Sequence, residues 1–174
     1  MTFLLPAEPG SYALQLALPA GLCLRIGRLG AFDFPAGEYL YLGSARGPGG
    51  LRGRLGHHLR PIHRPRWHID YLRLHAGVMG GWYSLDPGKL ECAWSHALGS
   101  LPSARIPATG FGAADCASGC PAHLVLFPGG LPVGQVVERL CRPGGWEVAV
   151  LPFEREGNPD SPNGSSSAPP WKIE

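Results

Sequence analysis

The chain has 174 residues, of which 44% are hydrophobic and 16% are charged, a composition typical of a globular domain with a buried core. Its apolar runs fall short of the roughly 20 residues that a membrane-spanning helix needs, and its first residues lack the basic region of a signal peptide. The five cysteines are odd in number and irregularly spaced. We therefore expect a reduced, cytoplasmic protein without a membrane attachment.

The net charge of +2 is unevenly distributed along the chain. Residues 46–73 carry one acid and seven arginines, so this segment has a formal charge of +6 and the remainder has −4. The arginines are Arg46, Arg52, Arg54, Arg60, Arg64, Arg66 and Arg73. Such a density is typical of a surface that binds phosphates. The alternative is an arginine-rich face that contacts only solvent.

The predicted elements of the first half are strands and one helix. Residues 11–18 and 22–27 are predicted strands that form a hairpin, and residues 28–37 are a predicted loop. The alternation of Tyr39, Leu40, Tyr41 and Leu42 predicts the next strand, and the glycines that follow it predict a turn. Leu51, Leu55 and Leu59 then recur at helical spacing, with Arg54 and His58 on a neighbouring face. Residues 66–74 fit either an extended segment or a short helix.

The second half is predicted to alternate between strands and helices. Residues 76–84 are a predicted strand, and Asp86–Pro87 is a predicted helix start that precedes an apolar stripe. Residues 99–120 are irregular. A strand over 122–127, a helix over 133–141 and a strand over 146–151 follow. We predict one α/β domain over residues 1–153, with a central, largely antiparallel sheet flanked by helices, and a disordered tail over 154–174.

Several short motifs occur in a fixed order. Gly10–Tyr12 and Tyr41–Gly43 resemble the two halves of the GIY-YIG nuclease signature, and residues 50–59 resemble the helix that follows it. Residues 67–72, 90–92 and 110–116 resemble the Uri-type endonuclease branch of that superfamily. The resemblance extends over residues 10–127. The chain departs from it in a longer separation of the two halves and in Ser11 and Leu42 as their second residues.

The resemblance implies a metal-dependent endonuclease that hydrolyses DNA phosphodiester bonds. It assigns one Mg²⁺ or Mn²⁺ to Glu91 and the scissile phosphate to Arg54. Tyr41 would relay a proton from water with the help of Tyr12 or His58, and the resemblance leaves open which of the three is the base. The expected nucleic-acid contacts are Arg46, Arg52, Arg60, Arg64 and Arg66. No separate sequence-reading module is visible, which favours selectivity for a DNA structure or a single strand; RNA stays open as a substrate.

Other interpretations of the same residues are retained. The tyrosines, His58 and Glu91 have structural alternatives: sheet packing, helix capping and first-turn stabilisation. His68 and Asp70 fit either a structural hydrogen bond or support of the site.

The cysteines have two interpretations. A zinc site fits Cys116, Cys120 and His123, with Cys92 as a further candidate, whereas Cys23 and Cys141 are predicted core residues. The two alternative functions are a non-cleaving nucleic-acid-binding module and a zinc-organised interaction domain. Trp67, Tyr71 and Trp82 fit either base stacking or the core.

Overall fold

The structure, a computed structural model, describes residues 5–142 and 144–151. The strands are β1 (Gly10–Leu18), β2 (Leu22–Ile26), β3 (Gly30–Phe34), β4 (Gly37–Ala45), β5 (Gly77–Ser84), β6 (Leu124–Phe127) and β7 (Ala149–Val150). The helices are α1 (Gly50–Leu59), α2 (His68–Arg73), α3 (Glu91–Gly99) and α4 (Val133–Cys141). The predicted domain end at residue 153 and the predicted tail, 154–174, lie outside the described residues.

Five strands form an antiparallel sheet in the order β6-β4-β1-β5-β7. The central strand, β1, pairs with β4 from Gly10↔Ala45 to Leu18↔Gly37 and with β5 along its other edge. Helices α1 and α2 cover one face of the sheet, and α3 and α4 cover the other. This arrangement confirms the predicted class, a central antiparallel sheet flanked by helices.

The alternation of side chains along β1 divides the interior into two cores. Tyr12, Leu14 and Leu16 point to the face covered by α1 and α2, which is the first core, whereas Ala13 points to the face covered by α3 and α4, which is the second core. Because β1 is covered on both faces, its sequence is apolar at nearly every position, as expected for a central strand. Each fully buried leucine in these cores contributes roughly 1.5–3 kcal/mol through removal from water.

Helix α1 has the predicted bounds and the predicted apolar stripe. Leu51 and Leu55 are fully buried in the first core, and Leu59 packs against it. The first turn donates backbone N–H groups to the segment that precedes β1: Leu51 to the carbonyl of Glu8 at 3.0 Å and Arg52 to that of Pro6 at 2.8 Å. Because the first N–H groups of a helix have no partner within it, these carbonyls stabilise the helix start.

The predicted hairpin of β1 and β2 is wrong. Strand β2 pairs instead with β3, from Leu22↔Phe34 to Ile26↔Gly30, in a separate two-stranded sheet. Both edges of β1 are occupied by β4 and β5, so β2 has no free edge of β1 to pair with. The predicted loop 28–37 therefore contains a strand.

One predicted helix start is wrong, and one segment that was left open between two forms is helical. Asp86–Pro87 begins a turn and not a helix, because the Asp86 carboxylate accepts the Gly88 N–H at 2.8 Å and closes a local turn. The helix starts at Glu91. Residues 68–73 form the short helix α2, which decides between the two alternatives for this segment. No helix among the described residues combines the length and the apolar character needed to cross a bilayer.

Gly43 is required by the position of the Tyr12 ring. The two residues lie opposite each other in the β1–β4 ladder, and the ring of Tyr12 crosses over the glycine. A Cβ at position 43 would overlap the Tyr12 hydroxyl and lie 2.5 Å from its Cζ. Carbon atoms do not approach this closely, so a side chain here would displace the ring.

Gly43→Ala should therefore destabilise the fold by about 2 kcal/mol or more, the scale of overpacking in a filled core. Chemical denaturation measures this change. The matched control is Gly56→Ala in α1, where the new Cβ would meet nothing within 4 Å apart from its chain neighbours and the backbone of its own helix. That variant should be as stable as the parent or more stable by about 0.5–1 kcal/mol, since alanine is the better helix former. Equal stability of the two variants would contradict the assigned contact.

Candidate active site

A cleft of about 340 Å³ opens where the start of α3 meets the ends of β1 and β4. One part of its wall comes from the sheet and the helices: Tyr12, Tyr41, Ser44, Arg54, Lys89 and Glu91. The other part comes from the start of α3 and the segment before β6: Cys92, Gly112, Asp115, Cys116 and His123. The cleft therefore combines hydroxyls, a guanidinium, carboxylates and thiols in one open space.

Tyr12 and His58 form a buried hydrogen-bonded pair beside this cleft. The hydroxyl of Tyr12 lies 2.8 Å from Nε2 of His58, and each residue is only 1% exposed. Burial, followed by the neighbouring Tyr41, raises the pKa of Tyr12 well above its usual value. Burial, reinforced by the Arg54 guanidinium, lowers the pKa of His58 to about 3. His58 is therefore neutral near pH 7 and does not cap the helix as a cation.

Tyr41 is half-buried and is surrounded by three aromatic rings, those of Tyr12, His58 and Phe111. Its ring stands edge-on to His58 and to Phe111, with centroids 5.9 and 6.2 Å away. Gly112 lies beneath it, and a Cβ there would approach Cε2 of Tyr41 to 2.9 Å. Burial raises the pKa of Tyr41 to about 12, and the Arg54 guanidinium acts in the opposite direction. The ring is thus fixed in place, and its hydroxyl is protonated near pH 7.

His68 and Asp70 accept hydrogen bonds from backbone segments that surround the cleft. Nδ1 of His68 accepts the Gly112 N–H at 3.0 Å, which positions the segment beneath Tyr41. The fully buried Asp70 carboxylate accepts the N–H groups of Arg66 at 2.8 Å and Trp67 at 3.0 Å. Burial raises the pKa of Asp70, but these N–H groups and His57 outweigh it and leave that pKa below its usual value. Both residues make the structural hydrogen bonds that were one of their two interpretations.

Arg54 is placed in the cleft by Trp67. Its guanidinium carbon lies 4.3 Å from the centroid of the Trp67 ring, within the range of a cation–π contact. The ring of His57 packs against the same tryptophan at 4.3 Å between centroids. Trp67 therefore orients two basic side chains, while Trp82 is buried in the second core and Tyr71 packs against the first.

Glu91 is held at the start of α3 by a rung of three serines. Ser84, Ser11 and Ser44 lie side by side across β5, β1 and β4. The Ser44 hydroxyl donates to Oε1 of Glu91 at 3.1 Å, and the Ser11 hydroxyl accepts the N–H of Leu90 at 3.1 Å. Ser84 accepts the N–H of Asp86 at 3.3 Å in the turn before α3. The rung thus fixes the carboxylate that lines the cleft.

The predicted arginine surface divides into two groups. The Arg46 guanidinium donates to the carbonyls of Asp86 and Gly88, and Nε of Arg52 donates to the carbonyl of Leu5 at 2.9 Å. These two arginines brace the turn before α3 and the segment before β1. Arg60, Arg64 and Arg66 are exposed on the segment between α1 and α2.

Three cysteines and one histidine form a second cluster that borders the cleft. The ligand atoms of Cys92, Cys116, Cys120 and His123 all lie within 4.8 Å of one another, so this cluster could hold a metal ion. His57, His58 and Asp70 are similarly close, but Asp70 is already hydrogen-bonded as described above. Cys23 is exposed and Cys141 is half-buried, so the predicted core position is wrong for Cys23. Its strand is in the small two-stranded sheet, where alternate side chains face outward.

The structure brings Tyr12, Tyr41, Arg54 and Glu91 into one cleft and places His58 directly behind Tyr12. Sequence reasoning missed the serine rung and Lys89. A signal for the rung was present, because each of the three serines stands near one end of a strand. Their shared contact with the start of α3 requires the pairing register, which sequence patterns did not define.

The family model described as domain of unknown function DUF123 matches residues 11–142, about three quarters of the chain. The chain belongs to this family. The match includes the cleft residues from Tyr12 to Glu91 and the whole cysteine and histidine cluster. A search of the curated proteins and a search of the solved structures each found no match.

The buried, neutral His58 should make the fold sensitive to acid. Its pKa is near 6.5 when unfolded and about 3 when folded. Between these values the unfolded chain binds a proton that the folded chain does not, so stability is lost as pH falls from 6.5 towards 3. The free energy of unfolding should decrease by up to about 1.4 kcal/mol per pH unit from this group.

His58→Gln should remove this contribution, which urea denaturation at several pH values can measure. Asp70 is present in both proteins, so its own pH dependence cancels in the difference between their slopes. The control is His63→Gln at an exposed position, which should keep the parent slope. A slope in His58→Gln equal to that of the parent would contradict a buried neutral imidazole.

Proposed function

We propose that this protein is a metal-dependent endonuclease of GIY-YIG type that hydrolyses DNA phosphodiester bonds. The observation that carries the proposal is the cleft in which Tyr12, Tyr41, Arg54 and Glu91 surround one space. Hydrolysis of a phosphodiester needs a proton acceptor for water, a cation for the phosphate and a group that stabilises the developing charge. These four side chains supply groups for each of these tasks.

Glu91 fits the role of ligand for one Mg²⁺ or Mn²⁺. Among the described residues, its Oε2 is buried without a hydrogen-bond partner, while Oε1 accepts from Ser44. An unpartnered buried carboxylate oxygen is costly, and a hard cation that keeps several waters needs only one or two protein carboxylates. Such an ion would stabilise negative charge on the attacking or leaving oxygen. Asp115 lines the same cleft and is the second carboxylate available there.

Arg54 and the two tyrosines act on the phosphate and on the water. Arg54 is oriented by Trp67 and presents a planar, permanently charged guanidinium that matches phosphate oxygens. Tyr41 is more accessible than Tyr12, whose hydroxyl contacts His58. We therefore assign Tyr41 to the attacking water: the Tyr41 hydroxyl first loses its own proton to solvent, and the resulting phenolate, which the Arg54 guanidinium favours, accepts the proton of the water. With its proton on Nδ1, His58 accepts the Tyr12 hydroxyl at Nε2 and keeps that neighbouring hydroxyl oriented.

The exposed arginines between α1 and α2 supply the nucleic-acid surface of the proposal. Arg60, Arg64 and Arg66 lead to Trp67, which contacts Arg54 in the cleft. A backbone held along this segment would therefore approach the site of hydrolysis. Phosphate contacts of this kind position a duplex or a single strand but carry no sequence information, which favours selectivity for a DNA structure or a single strand.

The second candidate function is a module that binds nucleic acid without cutting it. The same exposed arginines favour it, because they need no metal and no tyrosine to bind phosphates. Incubation of the protein with plasmid and with single-stranded and branched oligonucleotides, in the presence and absence of Mg²⁺ or Mn²⁺, separates the two. Cleavage that a chelator abolishes supports the endonuclease, whereas a gel shift without cleavage supports the binding module.

Three cleft variants should fail in different ways. Glu91→Gln keeps its shape but loses the charge that holds a hard cation, so it should bind DNA normally and cleave at least ~10²-fold more slowly. Arg54→Ala should lose cleavage and some affinity, since the guanidinium contacts phosphate. Tyr41→Phe should keep affinity and slow only the chemical step. Single-turnover cleavage rates and a filter-binding assay measure the two properties separately.

The matched control for the carboxylate is Glu138→Gln on the exposed side of α4, which should cleave at the parent rate. Circular dichroism checks that each variant is folded. A folded Glu91→Gln that cleaves as fast as the parent would remove Glu91 from the mechanism.

Replacement of Arg60, Arg64 and Arg66 together by alanine should weaken binding to a similar extent for all DNA sequences. The plot of log affinity against log salt should become shallower by roughly one unit per lost phosphate contact. Fluorescence anisotropy at several salt concentrations measures this slope. The control triple variant, Arg28, Arg139 and Arg142 to alanine, removes the same charge from exposed positions elsewhere and should leave the slope unchanged. Identical slopes for the two triple variants would show that the segment contacts only solvent.

A further inference from the structure

Three thiols and one imidazole from two separate parts of the chain meet beside the cleft. Cys92 belongs to the first turn of α3, Cys116 and Cys120 belong to the irregular segment 100–123, and His123 directly precedes β6. Sγ of Cys92 lies 3.4 Å from Sγ of Cys116 and 3.7 Å from Nε2 of His123. Cys120 and His123 are buried, and the other two are half-buried.

We infer that Cys92, Cys116, Cys120 and His123 bind one structural Zn²⁺. The three thiols and one imidazole form a complete Cys₃His set, which is characteristic of structural zinc sites. Metal–sulfur bonds of about 2.3 Å in a tetrahedral site place neighbouring sulfurs roughly 3.8 Å apart. The four ligand atoms, all within 4.8 Å of one another, are close to this arrangement. Thiolate and imidazole ligands favour zinc over Mg²⁺ or Mn²⁺, which prefer oxygen.

A disulfide does not account for the cluster as well as a metal does. A disulfide would join Cys92 and Cys116 and would leave the buried Cys120 and His123 without a role. The described residues contain no disulfide among the five cysteines. Only a central ion uses all four side chains at once.

The position of the site explains what the zinc does. The segment between α3 and β6, residues 100–123, has no helix or strand of its own and is longer than most loops of compact domains. Zinc would link this segment to α3 and to the start of β6. The linked segment carries Gly112 beneath Tyr41 and Asp115 in the cleft wall. Zinc thus holds one wall of the cleft against the other.

The proposed zinc site is also adjacent to Glu91 in the sequence. Cys92 is the next residue, so one turn of α3 is fixed by the serine rung through Leu90 and Glu91 and by zinc through Cys92. With four protein ligands, the zinc has no open position for substrate, which distinguishes it from the single-carboxylate site at Glu91. The inference about zinc does not rest on the proposed cleavage activity.

The test is the metal content of the full chain, purified without chelator and measured by inductively coupled plasma mass spectrometry. We expect one zinc per chain. Replacement of the zinc by Co²⁺ should produce the strong visible absorption of tetrahedral cobalt with thiolate ligands. This second readout uses the parent protein, so it holds even if ligand variants fold poorly. Preparations free of zinc that also give no such cobalt spectrum would overturn the inference.

The ligand variants are Cys92→Ser, Cys116→Ser, Cys120→Ser and His123→Ala, and each should lower the zinc content at least several-fold. The matched controls are Cys23→Ser and Cys141→Ser, which should keep one zinc per chain. His96→Ala is the control for histidine, because Nε2 of His96 lies 3.8 Å from Sγ of Cys120 but outside the group of four. Loss of zinc in the controls with retention in the ligand variants would refute the assigned set.

The structural role of the zinc can be measured on the protein alone, without DNA. Removal of zinc with a strong chelator should lower the melting temperature by several degrees and expose segment 100–123 to limited proteolysis; zinc should restore both. Glu91→Gln should retain one zinc per chain while losing cleavage, which separates failure of the zinc inference from failure of the proposed nuclease. An unchanged melting temperature and digestion pattern after complete zinc removal would contradict the role as a link.

Discussion

The hydrogen bond between Tyr12 and His58, 2.8 Å long and almost completely buried, joins the central strand of the sheet to helix α1. It forms only because Gly43 leaves space for the Tyr12 ring on the neighbouring strand. It also keeps a neutral imidazole inside the first core, where an ionised one would carry a large desolvation cost. Tyr41 lies beside both rings, and Arg54 lies one turn before His58 on α1, so this contact joins the elements that carry the cleft residues.

The first turn of α3, which carries Glu91, is held in place from two sides. It is held from the sheet by serine hydroxyls and from the irregular segment by the cysteine cluster, so the carboxylate of Glu91 lies between two different kinds of anchor. A single ligand for a hard cation needs such support, because the carboxylate must keep its direction without other protein ligands around the ion. The two proposed metal sites therefore differ in chemistry: one offers a carboxylate oxygen to a hard cation, and the other offers three thiolates and an imidazole to zinc.

The charges of the cleft suit the proposed anionic substrate and the proposed cation together. Arg54 and Lys89 line the same cleft as Glu91 and Asp115, so the cleft is not uniformly basic. Both tyrosines are protonated near pH 7, since burial raises the pKa of Tyr12 and of Tyr41. The Arg54 guanidinium opposes this shift at both hydroxyls, so in the proposed mechanism it would link phosphate binding to the acidity of the tyrosines.

The sequence by itself determined the class of the fold, the bounds of α1 and α4, and four residues of the cleft, Tyr12, Tyr41, Arg54 and Glu91, because apolar periodicity and ordered motifs are local signals. It did not determine the partner of β2, since strand pairing depends on which edges other strands already occupy. The serine rung and the meeting of Cys92 with Cys116, Cys120 and His123 depend on contacts between residues far apart in the chain. Only the tertiary structure decided them, because register and loop path bring those side chains together.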